Sequence, residues 1–413
     1  MDNLRTKISF ALLVISCFLL PLLVPSQFSK VVVVFLVSVA VAGLEYKKLT
    51  NPLVYCFVGL FTLDLVGLLN SSNTQYSIAH LETALSLIVF PILLFVGKTQ
   101  HSISRPLIAF ASGVLLLNLA SLFLISYDLW DPKNLQINLI EANNIIVKIH
   151  PAFLSMYISF CIFFIADYYF PLHKLDRVKL GWVLFSLSVL TVFLIWLNSR
   201  AGILAFVLSA IFFISYRWQG RTRWIGFAGL ILFLVVLVSV PFSRYRFVEA
   251  PKMVLSSESG VNHNDPNVYP IENRLQIYKC DVELLKWPEI IYGYGTGDFR
   301  DELQKCFEAN NYTAPLAENM DSHSEYFAQL HRHGIIGLGL FLALLIVPFR
   351  HALKYRSPLL GAFIILFAVT ALFENVFSAQ KGVTFFALFC PLLYIYAKQQ
   401  YEARLAAQGT SEV

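Results

Sequence analysis

The chain has 413 residues, 57% hydrophobic and 14% charged, with a mean hydropathy of +0.66 and a formal net charge of +5. Soluble domains carry about 45–50% apolar and about 25% charged residues, so the composition excludes a soluble enzyme, a disordered chain and a secreted disulfide scaffold. The basic excess is slight, far from the concentrated basic face that nucleic acid requires, and no nucleic-acid partner is expected.

Apolar runs of membrane-spanning length predict an all-α polytopic membrane protein. Spans fall near residues 8–24, 31–44, 53–69, 78–97, 106–125, 151–166, 180–197, 201–216, 224–242, 327–348, 358–373 and 383–397, about twelve in all. Arg5 and Lys7 precede the first run as in a signal peptide. Pro21 and Pro25, however, stand where a small-residue cleavage site belongs, so this run reads as an uncleaved span.

With the N-terminus inside, 17 of the 31 Lys and Arg fall on inner segments and 5 on short outer loops. The rest lie in one long segment, whose length exempts it from the rule that inner loops are basic. The count predicts cytoplasmic termini and an outward-facing long segment. Three regions follow: an N-terminal bundle of about nine spans over 1–242, a large periplasmic loop over 243–326, and about three spans with a cytoplasmic tail over 327–413.

The loop holds 14 of the 26 acidic residues, the turn-rich stretch Asn262-His263-Asn264-Asp265-Pro266-Asn267, and helical patterns near 272–287 and 299–309. Loops of this length inside a compact protein are usually functional. Cys280 and Cys306 both fall in it, and the sequence leaves a disulfide and two free thiols equally open. Cys17, Cys56, Cys161 and Cys390 sit in spans as apolar filler. No metal-ligand spacing appears, and no metal or other cofactor is expected.

Four features carry candidate chemistry. Asn198-Ser199-Arg200-Ala201-Gly202 opens a span, with Asn198 or Ser199 as helix cap. Arg200 then sits where the helix dipole disfavours a cation, unless an anion docks there. An arginine snorkelling to lipid headgroups reads equally well. Arg274, in Glu272-Asn273-Arg274-Leu275-Gln276, reads by itself as a solvated residue of a loop helix.

The third feature is His323-Ser324, followed after nine residues by Gly334-Ile335-Ile336-Gly337. A continuous helix over 323–340 would put His323, Gly334 and Gly337 on one face, with the glycines permitting close packing against a neighbouring helix. His323 is then either a general base at the membrane surface or a hydrogen-bonding residue at a helix start. His331 and His333 point to either side and read as interfacial. The fourth is Glu374-Asn375 with Gln380, Lys381 and Gly382, which either closes a site or makes a hairpin turn.

Weaker signals are Gly293-Tyr294-Gly295-Thr296-Gly297, more turn than phosphate cradle outside a βαβ unit, and Asp64 and Glu82 in or near spans. The 36 phenylalanines read as lipid-facing bulk and packing.

Together these features resemble a known family. His323-Ser324-x9-Gly334-x-x-Gly337 reproduces the H-[NSQ]-x9-G-x-x-G pattern of bacterial O-antigen ligases without a mismatch. Ser199-Arg200-Ala201-Gly202 opens a span as in that family. Arg274 ahead of Trp287-Pro288 and the glycine turn is similar to the start of its large periplasmic loop. His150-Pro151 also resembles some members, without an assigned role. The superfamily includes O-antigen polymerases, which these patterns do not separate from ligases.

The resemblance implies a GT-C-like fold and an inverting, metal-independent glycosyltransferase. Its donor would be an undecaprenyl-diphosphate-linked glycan and its acceptor a lipid A–core sugar hydroxyl, in a setting of membrane lipids. It makes His323 the general base and Arg200 and Arg274 the diphosphate-stabilising pair, with Ser199, Ser324, Gly334 and Gly337 in substrate binding. A transporter of lipid-linked glycans would predict a buried polar pathway and inverted repeats, and the sequence displays neither.

Overall fold

The computed structural model describes residues 2–24, 39, 50–97, 103–128, 149–256 and 268–409. Among them the chain is all-helical. In chain order, the N-terminal helices are α1 (Asp2–Leu19), α2 (Pro52–Leu69), α3 (Thr74–Val96), α4 (Ser104–Asp128), α5 (Pro151–Tyr168), α6 (Arg177–Leu197), α7 (Arg200–Arg217) and α8 (Gly220–Ser239). After short helical turns come α9 (Tyr269–Glu283), α10 (Asp298–Ala309), α11 (Glu325–Lys354), α12 (Pro358–Thr370) and α13 (Gln380–Gly409).

Nine of the described helices are long and apolar enough to cross a membrane, and α12 is apolar but shorter. The first expected span is a helix, but Asp2, Arg5 and Lys7 occupy its opening turns. The expected span at 31–44 lies outside the described residues. Lipid-facing surface is plain on α8, where Trp224, Ile231 and Leu232 are exposed, an apolar display that soluble proteins rarely tolerate.

Local chemistry sets the helix starts. Asn51 Oδ1 accepts from Leu53 N ahead of Pro52, Asn73 Oδ1 from Tyr76 N, and Asp176 Oδ1 from Lys179 N. Each satisfies an N–H that a helix start leaves orphaned. α7 packs between α5 and α12. A Cβ on Gly202 would lie 2.3 Å from Ser155 Cβ, and one on Gly361 2.3 Å from the Phe212 ring, so small residues set both approaches. Many phenylalanines are interior rather than lipid-facing: Phe110 alone touches Tyr157, Phe160, Phe385 and Phe389.

The continuous helix expected over 323–340 is not what forms. His323 precedes α11 with φ +51°, and Gly334 interrupts the helix at φ +63°, ψ −157°, a conformation nearly restricted to glycine. The reason is a backbone crossing. A Cβ on Gly334 would sit 2.0 Å from Ile291 O, and one on Gly293 2.3 Å from Arg332 C. The break frees carbonyls of α11, and the glycine turn takes them up: Tyr294 N donates to His331 O and Gly295 N to Arg332 O. Thus 293–297 is a docking turn, and Gly334 meets loop backbone rather than a neighbouring span. Gly337 faces its own helix, where a Cβ would lie 2.5 Å from His333 Cβ.

The described residues between Pro241 and Ser324 cap one end of the bundle. Thr296 Oγ1 donates to Asp64 O, and the Asp298 carboxylate accepts from Ser71 Oγ, Ser72 N and Asn73 N, pinning α10 to the α2–α3 turn. Cys280 and Cys306 form a disulfide between α9 and α10, over a small core of Ile277, Leu303 and Phe307.

Candidate active site

Arg274, His323 and Glu374 come together where α9, the start of α11 and the α12–α13 turn meet. Arg274 Nη2 donates to Glu374 Oε1 at 2.7 Å, and His323 Nδ1 lies 3.8 Å from Glu374 Oε2. Glu374 is 8% exposed, whereas His323 keeps a third of its side chain accessible. With Nδ1 turned to the carboxylate, Nε2 is the nitrogen that faces away. Burial alone would push the Glu374 carboxyl up, but the His323 contact and the positive charges of His150 and Arg274 outweigh it and hold the group below its ordinary range. The Arg274 side chain is therefore an ion-pair partner, not a solvated surface residue.

Ser199, not Asn198, caps α7: Ser199 Oγ accepts from Gly202 N, while Asn198 closes α6 in the left-handed conformation at φ +49°. Arg200 follows in the first turn, its Nε donating to Arg246 O. Burial and the Arg274 charge together lower the Arg246 pKa, and its Nε is buried without a hydrogen-bond partner. Arg200, Arg246 and Arg274 thus gather three guanidinium groups, an arrangement that a multiply charged anion stabilises. Arg200 and Arg274 line a cavity of about 230 Å³ whose other walls include Ala201, Leu204, Leu275, Tyr278 and Phe373. Such a cavity is suited to an apolar chain that ends in an anion.

Both side-chain amide atoms of Asn198 and of Asn375 are buried without partners among the described residues, as is Asn273 Nδ2. These residues flank Ser199, Glu374 and Arg274 in sequence, and buried polar groups left unpaired are what water or a ligand completes. Ser324 is 3% exposed at the α11 cap position, where its carbonyl accepts from Ala328 N. Of the 374–382 group, only Glu374 and its neighbour Asn375 belong here. Lys381 Nζ donates to the carbonyls of Leu20 and Leu23, and Gln380 to Ser86 and Thr384.

Behind the site lies a set of pairs that the sequence did not reveal. His331 and His333 are buried rather than interfacial: His331 Nε2 is 3.1 Å from Asp281 Oδ1, and His333 Nε2 2.8 Å from Asp64 Oδ1. Asp64 also meets His80 Nε2 at 3.2 Å, while Glu82 is exposed. Burial pushes the Asp281 carboxyl up to about 6, against the lowering pull of His331 and Ser322. Glu325 and Arg332, both fully buried, pair at 3.6 Å. Glu325 accepts from Phe377 N, and Arg332 Nη2 donates to Ser378 Oγ, so the turn that carries Glu374 hangs from α11. The sulfurs of Cys280 and Cys306 lie close to the Glu283 carboxylate, but the disulfide takes both out of use as thiolate metal ligands.

Fold and site define a multi-pass helical membrane protein with a cationic, histidine-bearing site at one end of its bundle. Residues 183–342 match the family model described as O-Antigen ligase, which supports the O-antigen ligase family. The match spans Arg200, Arg246, Arg274 and His323 and ends before Glu374. No curated protein matches the chain. The match supports a membrane enzyme of O-antigen ligase/polymerase type that acts on a lipid-linked glycan.

Proposed function

We propose that the protein is an O-antigen ligase that moves a glycan from undecaprenyl diphosphate to a sugar hydroxyl of lipid A–core, with inversion and without a metal ion. The observation that carries this reading is the pairing of His323 with Glu374 beside Arg200, Arg246 and Arg274, at the mouth of an apolar cavity. Guanidinium groups repel a divalent cation and stabilise a diphosphate directly, through fixed charges that need little reorganisation.

In this reading Nε2 of His323 takes the proton of the acceptor hydroxyl as its oxygen attacks the anomeric carbon. The bond from that carbon to the diphosphate oxygen breaks, and its electron pair leaves with the phosphate, where the arginines hold the charge. Glu374 orients the imidazole through Nδ1 and stabilises the imidazolium that forms. Inversion follows when the acceptor enters opposite the leaving group, with His323 and the arginines on opposite sides of the sugar. The Lys/Arg asymmetry of the sequence supports a site on the periplasmic face of a bacterial inner membrane, with both termini cytoplasmic.

Deletion of the gene and gel analysis of lipopolysaccharide test the proposal. The expected result is core without attached polymer, with polymer accumulating on the lipid carrier. Core bearing a single repeat unit makes the protein a polymerase using the same donor, and unchanged lipopolysaccharide overturns both readings.

A further inference from the structure

The opposite end of the bundle holds a second cationic cavity. Arg217 closes α7, which places it about 25 Å along the helix from Arg200. With Tyr216, Gln219, Arg356, Pro358 and Arg404 it lines a cavity of about 450 Å³ between the ends of α7, α12 and α13. The three arginines come from three separate segments, so the fold, not local sequence, assembles the charge.

Arg217 is already engaged: its Nε donates to Asp167 Oδ1 at 2.5 Å, and its guanidinium stacks over the Phe170 ring. Arg356 and Arg404 are exposed, and no carboxylate comes within ion-pair distance of either among the described residues, although Arg404 also feels the Asp167 charge. Three guanidinium charges and one carboxylate leave a net charge of about +2 in the cavity. Arg356 also holds a left-handed backbone at φ +48°, the helix-terminating position that glycine usually occupies.

The level of the cavity is set by its neighbours. Trp182 and Trp224, at the starts of α6 and α8 on this same end, are 65% and 72% exposed, as expected of side chains at a membrane–water interface. Leu353 and Tyr216 are exposed beside the arginines and give the cavity an apolar flank. A cationic cavity between helix ends, at headgroup depth and with an apolar side, fits an anionic phospholipid better than a water-borne anion.

We propose that Arg217, Arg356 and Arg404 form a binding site for the headgroup of an anionic phospholipid. A two-phosphate headgroup matches the net charge. Arg356 and Arg404 would supply the phosphate contacts, while Arg217, fixed by Asp167, shapes the wall.

The test is native mass spectrometry of the full chain released from nanodiscs of phosphatidylcholine with a minority of cardiolipin. The wild type is expected to retain one cardiolipin. Arg356→Gln/Arg404→Gln, which removes both charges but keeps polar side chains, is expected to lower that occupancy about tenfold. An Arg177→Gln/Arg221→Gln variant removes the same amount of exposed charge from the same end, outside the cavity, and is expected to retain the lipid. Equal loss in both variants overturns the proposal, because general surface attraction then accounts for the binding. Displacement of cardiolipin by inorganic phosphate also overturns it, by assigning the cavity to a free anion. Should the double variant not be monodisperse, Arg404→Gln alone carries the test, with a smaller loss expected and full retention overturning the site.

Discussion

Two kinds of histidine–carboxylate pair stand within a few turns of each other. His331 and His333 are almost completely buried and meet Asp281 and Asp64 at 3.1 and 2.8 Å. His323 is one-third exposed, sits on a left-handed backbone and meets Glu374 at 3.8 Å. The first kind spends both partners on each other and ties α11 to α9 and α2. The second leaves a ring nitrogen accessible beside guanidinium groups. A carboxylate neighbour therefore does not by itself mark a working histidine; accessibility and looser pairing do.

The comparison breaks most readily on transfer activity. His323→Ala should lower glycan transfer by at least about 100-fold, measured with purified protein, lipid-linked donor and acceptor, with little change in melting temperature. His331→Ala should do the reverse, lowering the melting temperature while the folded fraction still transfers. A His331→Ala protein that melts normally and is inactive would erase the distinction.

Asp64→Asn removes the charge that His80 and His333 share. Breaking a buried pair costs about 3–5 kcal/mol, to be read in denaturant titrations of the detergent-solubilised protein. Arg274→Lys keeps the charge and loses the planar fork. Loss of one charge-assisted hydrogen bond, roughly 1.5 kcal/mol, should cut transfer about tenfold.

The smallest effect concerns acid. Because the Glu374 carboxyl is held below its ordinary value of 4.5, its ionised form adds stability that is complete above that value. That contribution is lost as pH falls through the lower folded-state value. Wild-type melting temperature should therefore drop below pH 4.5, and Glu374→Gln should lack that part of the drop.

Much of the fold was legible, because apolar runs announce helices one at a time. Arg200, Arg274 and His323 were legible as a motif set. Arg246 was not, since nothing local distinguishes it from Arg244, which pairs with Glu249. Glu374 was visible only as part of a polar turn, because its role depends on partners 100 and 51 residues away in the chain. The buried histidines were misread for another reason. Their partners, Asp281 and Asp64, lie 50 and 269 residues away in the chain and leave no local mark.

The interruption at Gly334 also uncouples the two parts of α11. In an unbroken helix, each residue inserted or removed turns everything beyond it by about 100°. Here the nine residues Glu325–His333 answer to the turn at 291–295, whose backbone they cross, and those after Gly334 answer to their span neighbours. The angular phase of the His323 end is thus set independently of the phase of the lipid-facing stripe. Either can drift through substitution without dragging the other out of register, as two gears do when the shaft between them is cut.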